Sequence, residues 1–140
     1  MGKLKGLLDV SVNLFTRKNE RHNHALSEIK VLSGAIEEFF AKYGLPGEKS
    51  DSRLISEKIG QAKLDVIAIE YHTRTKIKIA KDIKGKDLTP ALKEVHGHLA
   101  EVKKVILNPI PGSIVLGRSL SKLHESFKNL LEAISDIEYK

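Results

Sequence analysis

The sequence predicts an all-α fold, an up-and-down bundle of four to five helices joined by short Gly/Pro loops. Three observations predict it. Apolar residues recur at steps of three and four along most of the 140 residues. The interruptions carry helix stop and start chemistry: Gly44 with Pro46, Lys84-Gly85-Lys86-Asp87, and Asn108-Pro-Ile-Pro-Gly112. No stretch reads as a strand with a partner, and a lone strand leaves its backbone unsatisfied.

Residues 3–18 make the first helix. Leu4, Leu7, Leu8, Leu14 and Phe15 lie near one face, with Lys3, Lys5 and Asp9 off it. Thr16–His24 is almost wholly polar, so the helix either runs through it exposed or breaks near Asn19 and restarts. Leu26, Ile29, Leu32, Ile36, Phe39 or Phe40, and Tyr43 then step by three and four. Gly44 and Pro46 stop this helix, and Gly44–Ser52 is the clearest loop of the N-terminal half. The chain is expected to be one domain over 1–140, with 1–18 as a separate docking helix.

Ser52–Lys84 decides the fold class. Ser50, Asp51 or Ser52 caps it, and Glu57 suits the positive end of the helix dipole. Ile55, Ile59, Ala62, Val66, Ile69, Thr73, Ile77 and Ala80 form one helical stripe. Val66–Ile79 is nevertheless rich in β-branched residues, which individually favour strands. As a strand, Ile77 and Ile79 would alternate with Lys76, Lys78 and Lys81. The stripe runs unbroken and no turn signal divides it, so helix is the prediction. Thr89 as N-cap with Pro90 at the first helical position starts the next helix. Its apolar face is Leu92, Val95, Leu99, Val102 and Ile106. Ser113 caps the last helix, whose apolar positions are Leu116, Leu120, Leu123, Phe127, Leu130 or Leu131, Ile134 and Ile137.

Composition sets the outer limits. The hydrophobic fraction is 41% and the charged fraction 30%, ordinary for a globular domain. There is no cysteine, which excludes disulfides and thiolate metal sites. No apolar run approaches the roughly 18 residues that span a bilayer. Asp9 and Asn13 interrupt the apolar N-terminus, against a signal peptide. A soluble, cytoplasmic protein is expected. The net charge of +6 favours an anionic partner.

Six histidines are candidates for chemistry. His22 with His24 and His96 with His98 are i,i+2 pairs, about 200° apart on a helix, so one metal does not easily take both. His98 and Glu101 are three apart, but no Glu-x-x-His occurs, and a di-metal carboxylate bundle needs two. No metal and no cofactor is expected. Glu37, Glu38, Glu125 and Glu132 read as solvated helix faces.

Arg118-Ser-Leu-Ser-Lys-Leu-His124 offers an arginine and a histidine near the start of the last helix. A small all-α domain with this arrangement resembles the HEPN ribonuclease family, whose arginine and histidine act on RNA across a dimer interface. The resemblance covers these two residues and the fold class. The polar position after the arginine is Ser119 here. It implies that Arg118 binds phosphate and His124 moves a proton near neutral pH. Six residues along a helix is about 240°, so the pair converges only if the helix starts late or bends.

Charge gives a further feature. Arg74, Lys76, Lys78, Lys81, Lys84 and Lys86 stand against Asp82 alone in residues 72–86. Arg74, Lys78 and Lys81 share a helical face. Arg17, Lys18 and Arg21 form a second basic stretch against Glu20, and Lys103 and Lys104 add to it. Such stretches suit phosphate-backbone contact, which needs positive charge but no fixed spacing. Four Phe and three Tyr leave few aromatics for stacking, so backbone contact is expected over base reading.

The expected function is therefore a non-catalytic basic module, a subunit or adaptor in a larger assembly that contacts nucleic-acid backbone. The expected partners are a protein or a second copy, and nucleic acid. Two alternatives stand beside it: the HEPN-like ribonuclease, and an immunity-type or interaction bundle at an anionic membrane surface, resting on the basic amphipathic N-terminus.

Overall fold

The computed structural model describes residues 2–43, 58–108 and 113–140, with side chains from residue 17 onward in the first segment and from 115 onward in the last. Four α-helices run through them: α1 (Gly2–Tyr43), α2 (Ile59–Ile79), α3 (Thr89–Ile106) and α4 (Ser113–Ser135). A 3-10 turn, Ala80–Asp82, follows α2, and no strand occurs among the described residues. The chain is an all-α bundle. α2 packs on α1 and α3, and α4 packs on α3 and α1. Tyr43 meets Asp65 while Glu28 meets Lys76, so α1 and α2 run antiparallel. Phe40 meets Phe127 while Asn23 meets Lys140, so α1 and the α4 end of the chain do too.

The helical stripes read from the sequence are the core. Leu26, Ile29, Leu32, Ile36, Phe39, Phe40 and Tyr43 are buried on α1. Ala62, Val66, Ile69 and Thr73 are buried on α2, as are all five positions named on α3. On α4, Leu130 is buried and Leu131 faces out. Each large apolar side chain so covered contributes about 1.5–3 kcal/mol. The helix prevails over the strand in 66–79 because α2 packs on α1 and α3 and buries Val66, Ile69 and Thr73 of the stripe. Thr73 shows how a β-branched polar residue is accommodated: its buried hydroxyl donates to the Ile69 carbonyl at 2.8 Å.

Three local outcomes decide or correct the sequence reading. Of the two alternatives for the polar stretch 16–24 the unbroken helix holds, and α1 runs through Asn19. Its polar residues are used rather than left bare. His22 is fully buried, with Nδ1 accepting from the Lys84 N–H at 2.8 Å and Nε2 at 2.8 Å from the Glu138 carbonyl. Asn23 makes paired hydrogen bonds to the Lys140 backbone, at 3.1 and 2.8 Å. The second outcome is a correction at the end of α2, which stops at Ile79, not Lys84. Ile83 then turns extended and buries its side chain, which pulls the backbone off the helix axis. The third is the start of α3. Thr89 is already helical, and the Asp87 carboxylate accepts the Thr89 N–H at 3.0 Å. That bond holds the Asp87 carboxyl below its ordinary range.

Gly85 is the one residue of this turn with a left-handed backbone, φ +94°, where a side chain is strained. The caps at Ser50–Ser52, Glu57, Ile55, the Gly44–Ser52 loop, the Pro109–Gly112 break and the side chains of Leu4, Leu7, Leu8, Leu14, Phe15 and Ser113 lie outside the described residues.

Candidate functional site

The most heavily charged buried point of the described bundle is Glu70, in the middle of α2. It flanks the apolar stripe rather than belonging to it, and α3 covers it until the side chain is only 8% exposed. Two cations and an imidazole surround its carboxylate. His96 of α3 lies 3.3 Å from Oε1. Lys103 of α3 and Arg74 of α2 lie 3.7 and 3.9 Å from Oε2. Helical spacing builds this group: Arg74 is four residues on from Glu70, and Lys103 is seven on from His96, two turns along the same face. A buried carboxylate needs such partners, since an unpaired one is costly to desolvate. Two permanent cations and an imidazole face one anion, so the group keeps a positive balance at its outer edge.

From Arg74 the positive charge continues. Lys78 and Lys81 are exposed, and neither has an ion pair among the described residues. Lys76 turns the other way. Its ammonium lies 2.6 Å from Glu28 of α1, and this contact holds the Glu28 carboxyl below its usual range. Lys86 faces Asp136 at 3.2 Å. Lys84 reaches Asn19 at 2.9 Å while its N–H bonds His22. These two contacts bring the second basic stretch to the first. Lys18 and Arg21 are exposed within one helical turn of His22. Arg17 and Arg21 flank a shallow surface hollow with Glu20 and His24. Of the nine basic residues singled out from the sequence, Arg74, Lys78 and Lys81 stand exposed along α2 and its turn, Arg17, Lys18 and Arg21 stand exposed on α1, and Lys76, Lys84 and Lys86 are engaged within the fold.

Glu70 and His96 were not among the sequence candidates as a pair. The available signal was an isolated glutamate in Val66–Lys81, where every other charged side chain is basic, placed i,i+4 to Arg74. Lys103 was read only as added charge.

The remaining candidates are spread out. His22 is buried in backbone contacts, whereas His24 is exposed two residues on. His98 is half-buried on α3. Among the described residues no three histidines or acids gather to hold a metal ion. Glu37, Glu38, Glu125 and Glu132 are exposed. Arg118 is exposed, and the half-buried His124 sets its ring against the edge of Phe40, centroids 5.1 Å apart. α4 begins at Ser113, ahead of Arg118. Six helical residues therefore separate the two by about 240° and about 9 Å along the axis, so they do not converge within one chain. No helix among the described residues is long and apolar enough to cross a membrane.

A second, half-buried polar contact is structural. Asp65 accepts from Tyr43 at 2.7 Å and from Lys42 at 3.0 Å, tying the end of α1 to α2. Burial and the neighbouring carboxylate push the Tyr43 phenol well above its ordinary value. Compared with models of known protein families, with curated proteins and with solved structures, the chain matches none.

Proposed function

We propose that the chain is a non-catalytic binding module, a subunit or adaptor of a larger assembly, whose α2–α3 face contacts nucleic-acid backbone. The observation that carries this is the run of exposed cations from Arg74 through Lys78 and Lys81, continuous with Lys103 and His96 around Glu70. Phosphate groups are recognised by such a run because each neutralised phosphate releases condensed counterions. Contacts of this kind position a ligand without reading its sequence. The assembly half rests on the sequence of the first helix, where Leu4, Leu7, Leu8 and Phe15 precede a polar stretch and suit docking on a partner. Size-exclusion chromatography with light scattering tests it.

The triple variant Arg74→Glu, Lys78→Glu, Lys81→Glu tests the nucleic-acid half. Binding of a labelled oligonucleotide is followed while salt is raised. Wild type is expected to bind at low salt and weaken steeply, and the variant's log–log salt slope is expected to fall by about 3. Unchanged binding in the variant, or none by wild type at low salt, removes nucleic acid from the function.

A further inference from the structure

Beside the cations around Glu70, α2 carries an exposed apolar row. Leu64, Ile67, Tyr71, Arg74 and Lys78 step by three and four, so they line up along one outward stripe. Leu64 is 69% exposed and Tyr71 56%. Single exposed apolar residues are ordinary on a protein surface, whereas a row ending in cations is a composed face. The Arg74 guanidinium carbon lies 5.5 Å from the Tyr71 ring centroid, within cation–π range. Arg74 is thus placed between two fixed groups, the Tyr71 ring and the Glu70 carboxylate.

We propose that this face binds single-stranded nucleic acid, with a phosphate at Arg74 and Lys103 and an adjacent base stacked on Tyr71. The inference rests on the nucleic-acid function proposed above, and adds the strand state and a base contact. Two physical points carry it. Lys103 and Arg74 stand 3.7 and 3.9 Å from Glu70, longer than hydrogen bonds, so Glu70 orients them while their N–H donors remain open to a phosphate oxygen. The aromatic surface beside them is matched by a base face, and only an unpaired strand exposes base faces; a duplex buries them in its own stack. Ile67 and Leu64 extend the platform by two further turns, so it offers apolar contact beyond a single base.

The experiment uses the full chain at low salt. Fluorescence anisotropy compares labelled dT12 and rU12 single strands with a 12-base-pair duplex, and inorganic polyphosphate serves as a ligand with charge and no base. Single strands are expected to bind more tightly than duplex. Tyr71→Ala is expected to lower single-strand affinity about tenfold and leave polyphosphate affinity unchanged, and Tyr71→Phe to restore it. Tyr71 is exposed, and circular dichroism verifies that each variant keeps its helices. Duplex bound as tightly as single strand, or Tyr71→Ala without effect on dT12 and rU12, overturns base stacking and leaves backbone contact standing. If no polyanion binds at all, both proposals fall, and the Leu64–Ile67–Tyr71 row is left to an apolar protein partner.

Discussion

Replacing His22 by Leu tests whether the polar stretch of α1 is structural. The imidazole is fully buried and takes both of its hydrogen bonds from backbone, the Lys84 N–H at Nδ1 and the Glu138 carbonyl at Nε2. Since Nδ1 accepts, Nε2 carries the proton. Leu fills much of the space and makes neither bond. Leaving a backbone group unpaired costs about 1–3 kcal/mol, and both partners here lie in exposed residues that water partly reaches. The lower end applies to each, which gives about 2–3 kcal/mol in total. For a chain of this length that lowers the melting temperature by about 6–12 °C.

Urea unfolding followed by circular dichroism measures the loss. Two further variants divide it. His22→Asn keeps an acceptor near the Nδ1 position for Lys84, and His22→Gln keeps a donor near Nε2 for Glu138. Each is expected to recover part of the stability. A loss below about 0.5 kcal/mol for His22→Leu, the range of ordinary surface changes, would refute a structural role for these two bonds.

Other outcomes follow from particular sites. Gly85→Ala is expected to cost about 1 kcal/mol because φ is +94°, whereas Gly97→Ala, inside α3 with open space at its Cβ, is expected to add about 0.5–1 kcal/mol; paired urea titrations read both signs. The Tyr43 phenol is raised by burial and by its bond to Asp65, so folding favours the protonated form. Its contribution is complete below the ordinary phenol value of 10.0 and is lost as pH rises above it; wild type should lose more stability than Tyr43→Phe between pH values of about 9 and 11. In an RNA-cleavage assay, wild type and His124→Ala are expected to behave alike. Cleavage lost with His124 would instead establish the HEPN-type chemistry, with Arg118 and His124 meeting across two chains.

The helices were legible because each carries a long apolar period that a single choice of face explains. Val66–Ile79 is the informative case: local propensity pointed to strand, the period pointed to helix, and contact with α1 and α3 along the stripe favours the period. Cap chemistry was less legible. Asp87 and Thr89 both carry a side-chain oxygen two residues apart, and sequence alone does not say which one lies at the turn. Individual positive charges were legible, but their pairings were not. Lys76 and Lys78 look equivalent in the chain, yet a 200° rotation sends one to Glu28 and leaves the other exposed. Glu70 was missed for the same reason, since its partners His96 and Lys103 come from another helix.

Glu70 separates net charge from arrangement. A buried ion cluster is weak support for stability, because desolvation offsets much of its attraction. Its value at this face is therefore sought in what it positions. Glu70→Gln removes one negative charge and leaves a side chain of nearly the same shape. If the face acts through charge alone, the variant should bind every polyanion more tightly, since the local positive balance rises. If Glu70 acts by holding Arg74 beside Tyr71 and Lys103 beside His96, the variant gains attraction and loses alignment. Polyphosphate, which needs no alignment, is expected to bind more tightly. Binding of dT12, which needs a phosphate and a base placed together, is expected to rise less or to fall. Equal gains for both ligands would show that Glu70 only balances charge, and the arrangement around it would lose its functional meaning.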